Sequence, residues 1–103
     1  MDGEGEFEIN ARIWVWRAAP PAKGAWHFLT IEGQAAAEIR YAALGRTGGF
    51  GSVRVTATIG GTRWRTSLFP HRESGGFLLP IKADVRRAEG IAAGDVVTVS
   101  LTV

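Results

Sequence analysis

The chain contains no cysteine. That excludes a disulfide framework, a thiol nucleophile and a cysteine-built zinc site. It agrees with a reducing compartment. Histidine is almost as scarce, with His27 and His71 the only two. A zinc site needs three or four ligands at suitable spacing, and no cluster supplies them. No metal and no cofactor is therefore expected. No apolar run approaches the length that spans a bilayer as a helix, so no membrane partner is expected. The start, Met1-Asp2-Gly3-Glu4-Gly5-Glu6, is acidic where an export signal needs a basic start and an apolar run. A cytoplasmic protein is the expectation.

Charge is nearly balanced overall but uneven along the chain. Four acids and no base fall in residues 1–9, and the remaining 94 residues hold 12 bases against 6 acids. Ten of the bases are arginine, so contact with a polyanion is permitted without a dedicated phosphate-binding stripe. Enrichment in Ala, Gly and Arg is equally a mark of a GC-rich genome. The length, 103 residues, is that of one domain with a core of its own. Residues 1–6 read as an acidic tail and residues 7–103 as the domain.

Strict alternation runs through Phe7–Trp16, as a half-buried strand requires. Pro20-Pro21 and Gly24 impose a loop, and a second strand is expected over Trp26–Ile31. Alanine-rich Gln34–Leu44 fits a short helix, followed by a glycine loop over 45–51. Two alternating runs, Val53–Ile59 and Thr62–Phe69, flank Gly60-Gly61 and predict a two-residue hairpin. Its register sets Ile59 opposite Thr62, Ala57 opposite Trp64, Val55 opposite Thr66 and Val53 opposite Leu68, all on the core face. Pro70–Gly76 reads as a loop and Phe77–Ile81 as a strand. Asp84 reads as the N-cap of a short helix ending at Gly90, and Val96–Val103 as the last strand. The order strand, strand, helix, strand thus occurs twice. Closing six short strands into a barrel removes the exposed edges.

Gly48-Gly49-Phe50-Gly51-Ser52-Val53-Arg54-Val55, Thr58-Ile59-Gly60-Gly61-Thr62 with Trp64, and Thr66-Ser67-Leu68-Phe69-Pro70 resemble a bacterial family, domain of unknown function 1905. So does Gly76–Gly90, followed by Gly94-Asp95. Ile31-Glu32-Gly33 departs from the family's usual Leu-Pro pair at the start of the first helix. The resemblance implies a mainly β fold: a closed six-stranded double-split β-barrel with two short helices, ββαβ repeated twice. It also implies a distant likeness to AbrB-like regulators, which build such a barrel from two chains. This chain is then a fused pseudo-dimer and a monomer. The resemblance implies no activity.

Arg54, Arg63 and Arg65 fall on the outward hairpin face, where guanidinium groups could hold a phosphate or carboxylate. The alternative is cross-strand pairing with Glu6 and Glu8, or plain solvation. Trp14 and Trp16 fall on the polar face of the first strand and could stack on a ligand. The alternative is a cover from a helix or from the Pro20-Pro21 loop. Trp26 and Trp64 read as core. Lys82, Arg86 and Arg87 form a basic cluster that the AbrB likeness associates with DNA contact. Ser67, His71 and Asp95 compose a triad on paper, but no nucleophile turn surrounds Ser67. His71 reads as a loop residue. The glycine loop lacks the Lys-Ser/Thr ending of a phosphate loop. The expected function is a non-catalytic binding or interaction module of unknown ligand, with a DNA-binding regulator second and an enzyme third.

Overall fold

A computed structural model describes residues 5–103. Most of the expected acidic tail, including Asp2 and Glu4, lies outside the described residues. Glu6 opens the first strand. Seven strands are present among the described residues: β1 (Glu6–Arg12), β2 (Trp14–Arg17), β3 (Ala25–Ile31), β4 (Val53–Ile59), β5 (Thr62–His71), β6 (Gly76–Pro80) and β7 (Val96–Thr102). The helices are α1 (Gly33–Ala42) and α2 (Ala83–Glu89). The strands form one antiparallel sheet in the order β1-β7-β4-β5-β6-β3-β2, curled as a half-barrel.

The expected closed six-stranded barrel is thus corrected to an open, seven-stranded sheet. The difference arises at Ile13. The single strand expected over Phe7–Trp16 divides there, and its two parts become the two edges of the sheet. β1 pairs with β7, whereas β2 pairs with β3. The Ile13 backbone pairs with neither strand. Its N–H donates to the Asp95 carbonyl at 2.9 Å, and its own carbonyl accepts from the Gly94 N–H at 2.8 Å. Its side chain is buried.

β5 also changes partners, but without a break. Thr62–Leu68 pair with β4, and Phe69–His71 pair with β6. Pairing of β4 with β5 therefore matches that of β7 with β1, and β6 with β5 matches β3 with β2. The two sets meet where β4 lies against β7 and β3 against β6.

The hairpin register is as the alternation and Gly60-Gly61 predict, from Ile59 opposite Thr62 to Val53 opposite Leu68. Val53, Val55, Ala57, Ile59, Trp64 and Leu68 point into the core, where Leu29, Ile39, Leu79, Val85, Val99 and Leu101 meet them. No polar or charged residue is buried among the described residues. α1 lies against β1 and β6 and contributes Ala36 and Ile39. α2 lies against β5 and contributes Val85.

Smaller corrections follow from backbone pairing. Pro70 and His71 belong to β5 and not to a loop, because they pair with Phe77 and Gly76. The α2 N-cap is Lys82, which makes no side-chain cap bond, and Asp84 sits within the first turn, paired with Arg87. Gly90 ends α2 at φ 65°, a left-handed position that glycine takes without Cβ strain.

Candidate functional site

Side chains alternate across a strand, so the buried residues of β3 fix the direction of the rest. Leu29 and Ile31 point into the core, which turns Trp26, Phe28 and Thr30 outward. Registration of β2 on β3 sets Trp14 beside Phe28 and Trp16 beside Trp26. On the other side, Phe28 meets Pro80 and Thr30 meets Leu78, and Leu78 meets Phe69 of β5. The outer face of β2-β3-β6 and the end of β5 is therefore apolar, opposite a core-facing side that is also apolar.

These side chains line an open cleft of about 620 Å³, formed by Trp14, Trp16, Trp26, Phe28, Phe69, Leu78 and Pro80, with His71 and Glu73 at its polar end. Trp14 and Phe28 have ring centroids 5.3 Å apart at 43°. Trp26 lies parallel to Phe28, 6.5 Å away. Trp14 is held in place, since its indole N–H donates to Thr30 Oγ1 at 2.8 Å. Trp16 and Trp26 are free to meet a ligand, with 50% and 57% of their surface exposed.

His71 ends β5 and is fixed by the turn that follows it. Gly76 N–H donates to Ser74 Oγ at 3.2 Å, and that oxygen lies 2.9 Å from His71 Nδ1. The Ser74 hydroxyl is 3.5 Å from the His71 carbonyl, a poorer acceptor position, so its proton is best placed on Nδ1. The Nε2–H tautomer follows, directed at Glu73 Oε1 3.4 Å away. This group offers the cleft one polar, hydrogen-bonding end.

Trp14 and Trp16 both line the cleft, and neither a helix nor the Pro20-Pro21 loop lines it over them. Trp26 is corrected from core to cleft wall, while Trp64 is buried. His71 is corrected from a loop residue to a strand end. Phe28, Phe69 and His71 complete the cleft and were missed by sequence reasoning. The signal for Phe28 lay in the period of two of a strand over Trp26–Ile31, which turns it outward once Leu29 and Ile31 are assigned inward.

Arg54, Arg63 and Arg65 do lie together on the outer hairpin face, all exposed. Pairing with Glu6 and Glu8 is corrected by the register. Glu6 lies beside Thr102, then Thr56, then Arg65, and Glu8 lies beside Ser100, then Thr58, then Arg63. Three strand spacings separate acid from base, about 14 Å. The cluster Lys82, Arg86 and Arg87 divides. Arg87 pairs with Asp84, whereas Lys82 and Arg86 join Arg65 along a groove of about 350 Å³ between β5 and α2. Ser67, His71 and Asp95 are not brought together. Ser67 faces Arg54 across the hairpin, and Asp95 accepts from Ala92 N–H at 2.9 Å as a turn residue.

Fold and cleft define a class: a mainly β domain of one curled sheet with an aromatic recess on its outer face. The sequence model of a family described as Domain of unknown function (DUF1905) matches residues 10–101. The chain belongs to that family. None of the curated proteins matches it.

Proposed function

We propose that the protein is a non-catalytic binding module and that the aromatic cleft takes a small, planar, mainly apolar ligand. The observation that carries this reading is the convergence of five aromatic rings from three strands on one recess. Its volume lies within the usual range for small-molecule sites, about 300–1,000 Å³. Contiguous exposed apolar surface is uncommon on a protein that acts alone, and it marks a binding face when polar groups rim it. Indole and phenyl faces favour offset stacking on another ring. The His71–Glu73 pair makes one end of the recess polar, enough to orient a ligand. The fused pseudo-dimer and monomer reading is retained in this proposal, supported by the matched pairing of the two strand sets.

Tryptophan fluorescence tests the reading. A library of planar heterocycles should include compounds that quench emission saturably and raise Tm, because binding to the native state alone stabilises it. Trp16→Ala and Trp26→Ala remove exposed rings and should abolish both effects while leaving the free protein folded. Equal binding by both variants and the parent would overturn the assignment.

A second reading, an AbrB-like DNA-binding regulator, draws on Arg54, Arg63 and Arg65, which share one outward face without a neighbouring acid among the described residues. It predicts a salt-dependent mobility shift with duplex DNA, and no shift at low salt would remove it.

A further inference from the structure

The groove between β5 and α2 is chemically unlike the aromatic cleft. Three cations line it, Arg65 from β5 with Lys82 and Arg86 at α2, and no carboxylate does. Arg86 is anchored, since its Nε donates to the Ile81 carbonyl at 3.2 Å, which fixes where its guanidinium stands. The Arg65 and Lys82 side chains are exposed and make no hydrogen bond or ion pair among the described residues. His27 of β3 lies in the same groove. Its Nδ1 is shut off from solvent and has no hydrogen-bond partner among the described residues. An unpartnered buried polar atom is destabilising, and such atoms recur where a ligand or ion completes the pairing.

We propose that this groove is an anion site, which takes the phosphate or carboxylate group of a small ligand between Arg65, Lys82, Arg86 and His27. Arg supplies a fork that matches either oxyanion, and Lys supplies a point charge. The imidazole supplies the recessed donor. Burial first, then the charges of Arg86 on α2 and Arg17 on β2, hold the His27 pKa below its usual value, so the ring is neutral at pH 7. Arg65 of β5 and Lys82 line the same groove. An anion among these groups reverses the balance and favours the imidazolium. The groove shares Trp26 and Pro80 with the aromatic cleft. A ring in one and an acid group in the other therefore lie on either side of a common wall. The anion site itself does not depend on the cleft reading.

NMR titration of the full chain with inorganic phosphate, and separately with acetate, tests the proposal. The expected result is a saturable shift of the His27 ring and Arg86 Nε signals, with a raised His27 pKa at saturation. The anion giving the tighter binding identifies the acid group. Arg65→Gln and Lys82→Gln change exposed side chains and should each weaken binding at least tenfold in a folded protein. Arg86→Lys keeps the charge but loses the fork and should weaken it as well. Shifts that rise linearly without saturation, or that are equal in all variants, would overturn the site. So would duplex DNA, at matched phosphate concentration, shifting Arg54 and Arg63 together with the groove, since that result makes the groove part of a nucleic-acid face. Phosphate binding unaffected by Trp16→Ala separates this site from the cleft, whatever the fate of the cleft reading.

Discussion

A methyl group at position 76 would lie 1.9 Å from the Ile31 carbonyl oxygen, a backbone atom that cannot turn aside. Gly76 is therefore fixed by the close approach of β6 to the end of β3. Gly76→Ala should destabilise the protein by about 3 kcal/mol, the upper part of the range for overpacking, as a fall in the urea midpoint. His27 gives a second prediction at this scale. Its folded-state pKa lies below the usual 6.5, chiefly through burial. Well above pH 6.5 the ring is neutral in both folded and unfolded chains and has no effect on their balance. As pH falls below 6.5 the unfolded chain binds the proton first, so stability declines until pH passes below the folded pKa. Urea melts of the phosphate-free protein from pH 7.5 to 4.5 should show this decline, and His27→Gln should make it shallower. Neither position announces itself in the sequence. Gly76 reads as one more turn glycine, and His27 as an ordinary strand histidine, because in both cases the cause is a neighbour far along the chain.

At the scale of the element, β5 and the strand over residues 6–17 play matched parts with different continuity. Alternation predicts the inward set Ile9, Ile13, Leu68 and Trp64 correctly, and it predicts that Trp14 and Trp16 face outward. It carries no sign of the break at Ile13, since Ala11, Ile13 and Val15 keep the same period across it. The break is a change of partner from β7 to β3, and partners are a tertiary property. The cleft depends on this turn of the chain, because β2 brings its indoles to β3 only after leaving β7. Trp14→Phe keeps a ring in the cleft but loses the bond to Thr30 Oγ1. A loss of about 1 kcal/mol is expected on thermal or urea unfolding, within the range for one hydrogen bond. Ligands that stack on Trp16 and Trp26 should still quench the remaining fluorescence of this variant.

At the scale of the whole molecule, the outer surface divides by chemistry along β5. Its first outward residues, Arg63 and Arg65, are basic, and its last, Phe69 and His71, belong to the aromatic cleft. Acids on β1 and arginines on β5 stand at opposite sides of the same four-strand face, about 14 Å apart, beyond the ~8 Å screening length at physiological salt. The double variant Glu6→Gln and Glu8→Gln should therefore change stability by less than about 0.5 kcal/mol at that salt, measured by the urea midpoint. A larger loss would mean that the acids meet a partner the register does not provide. The sequence by itself determined the strand and helix order, the hairpin register, the apolar inward set and the family resemblance. These rest on local period and turn chemistry, which act between residues close along the chain. Only the tertiary structure decided that the sheet is open, that Ile13 parts the first strand, that Trp26 faces out, and that Arg65, Lys82, Arg86 and His27 share one groove. Each of those depends on which strand lies beside which. That choice is made by burial summed over the whole core, a quantity no short window of sequence contains.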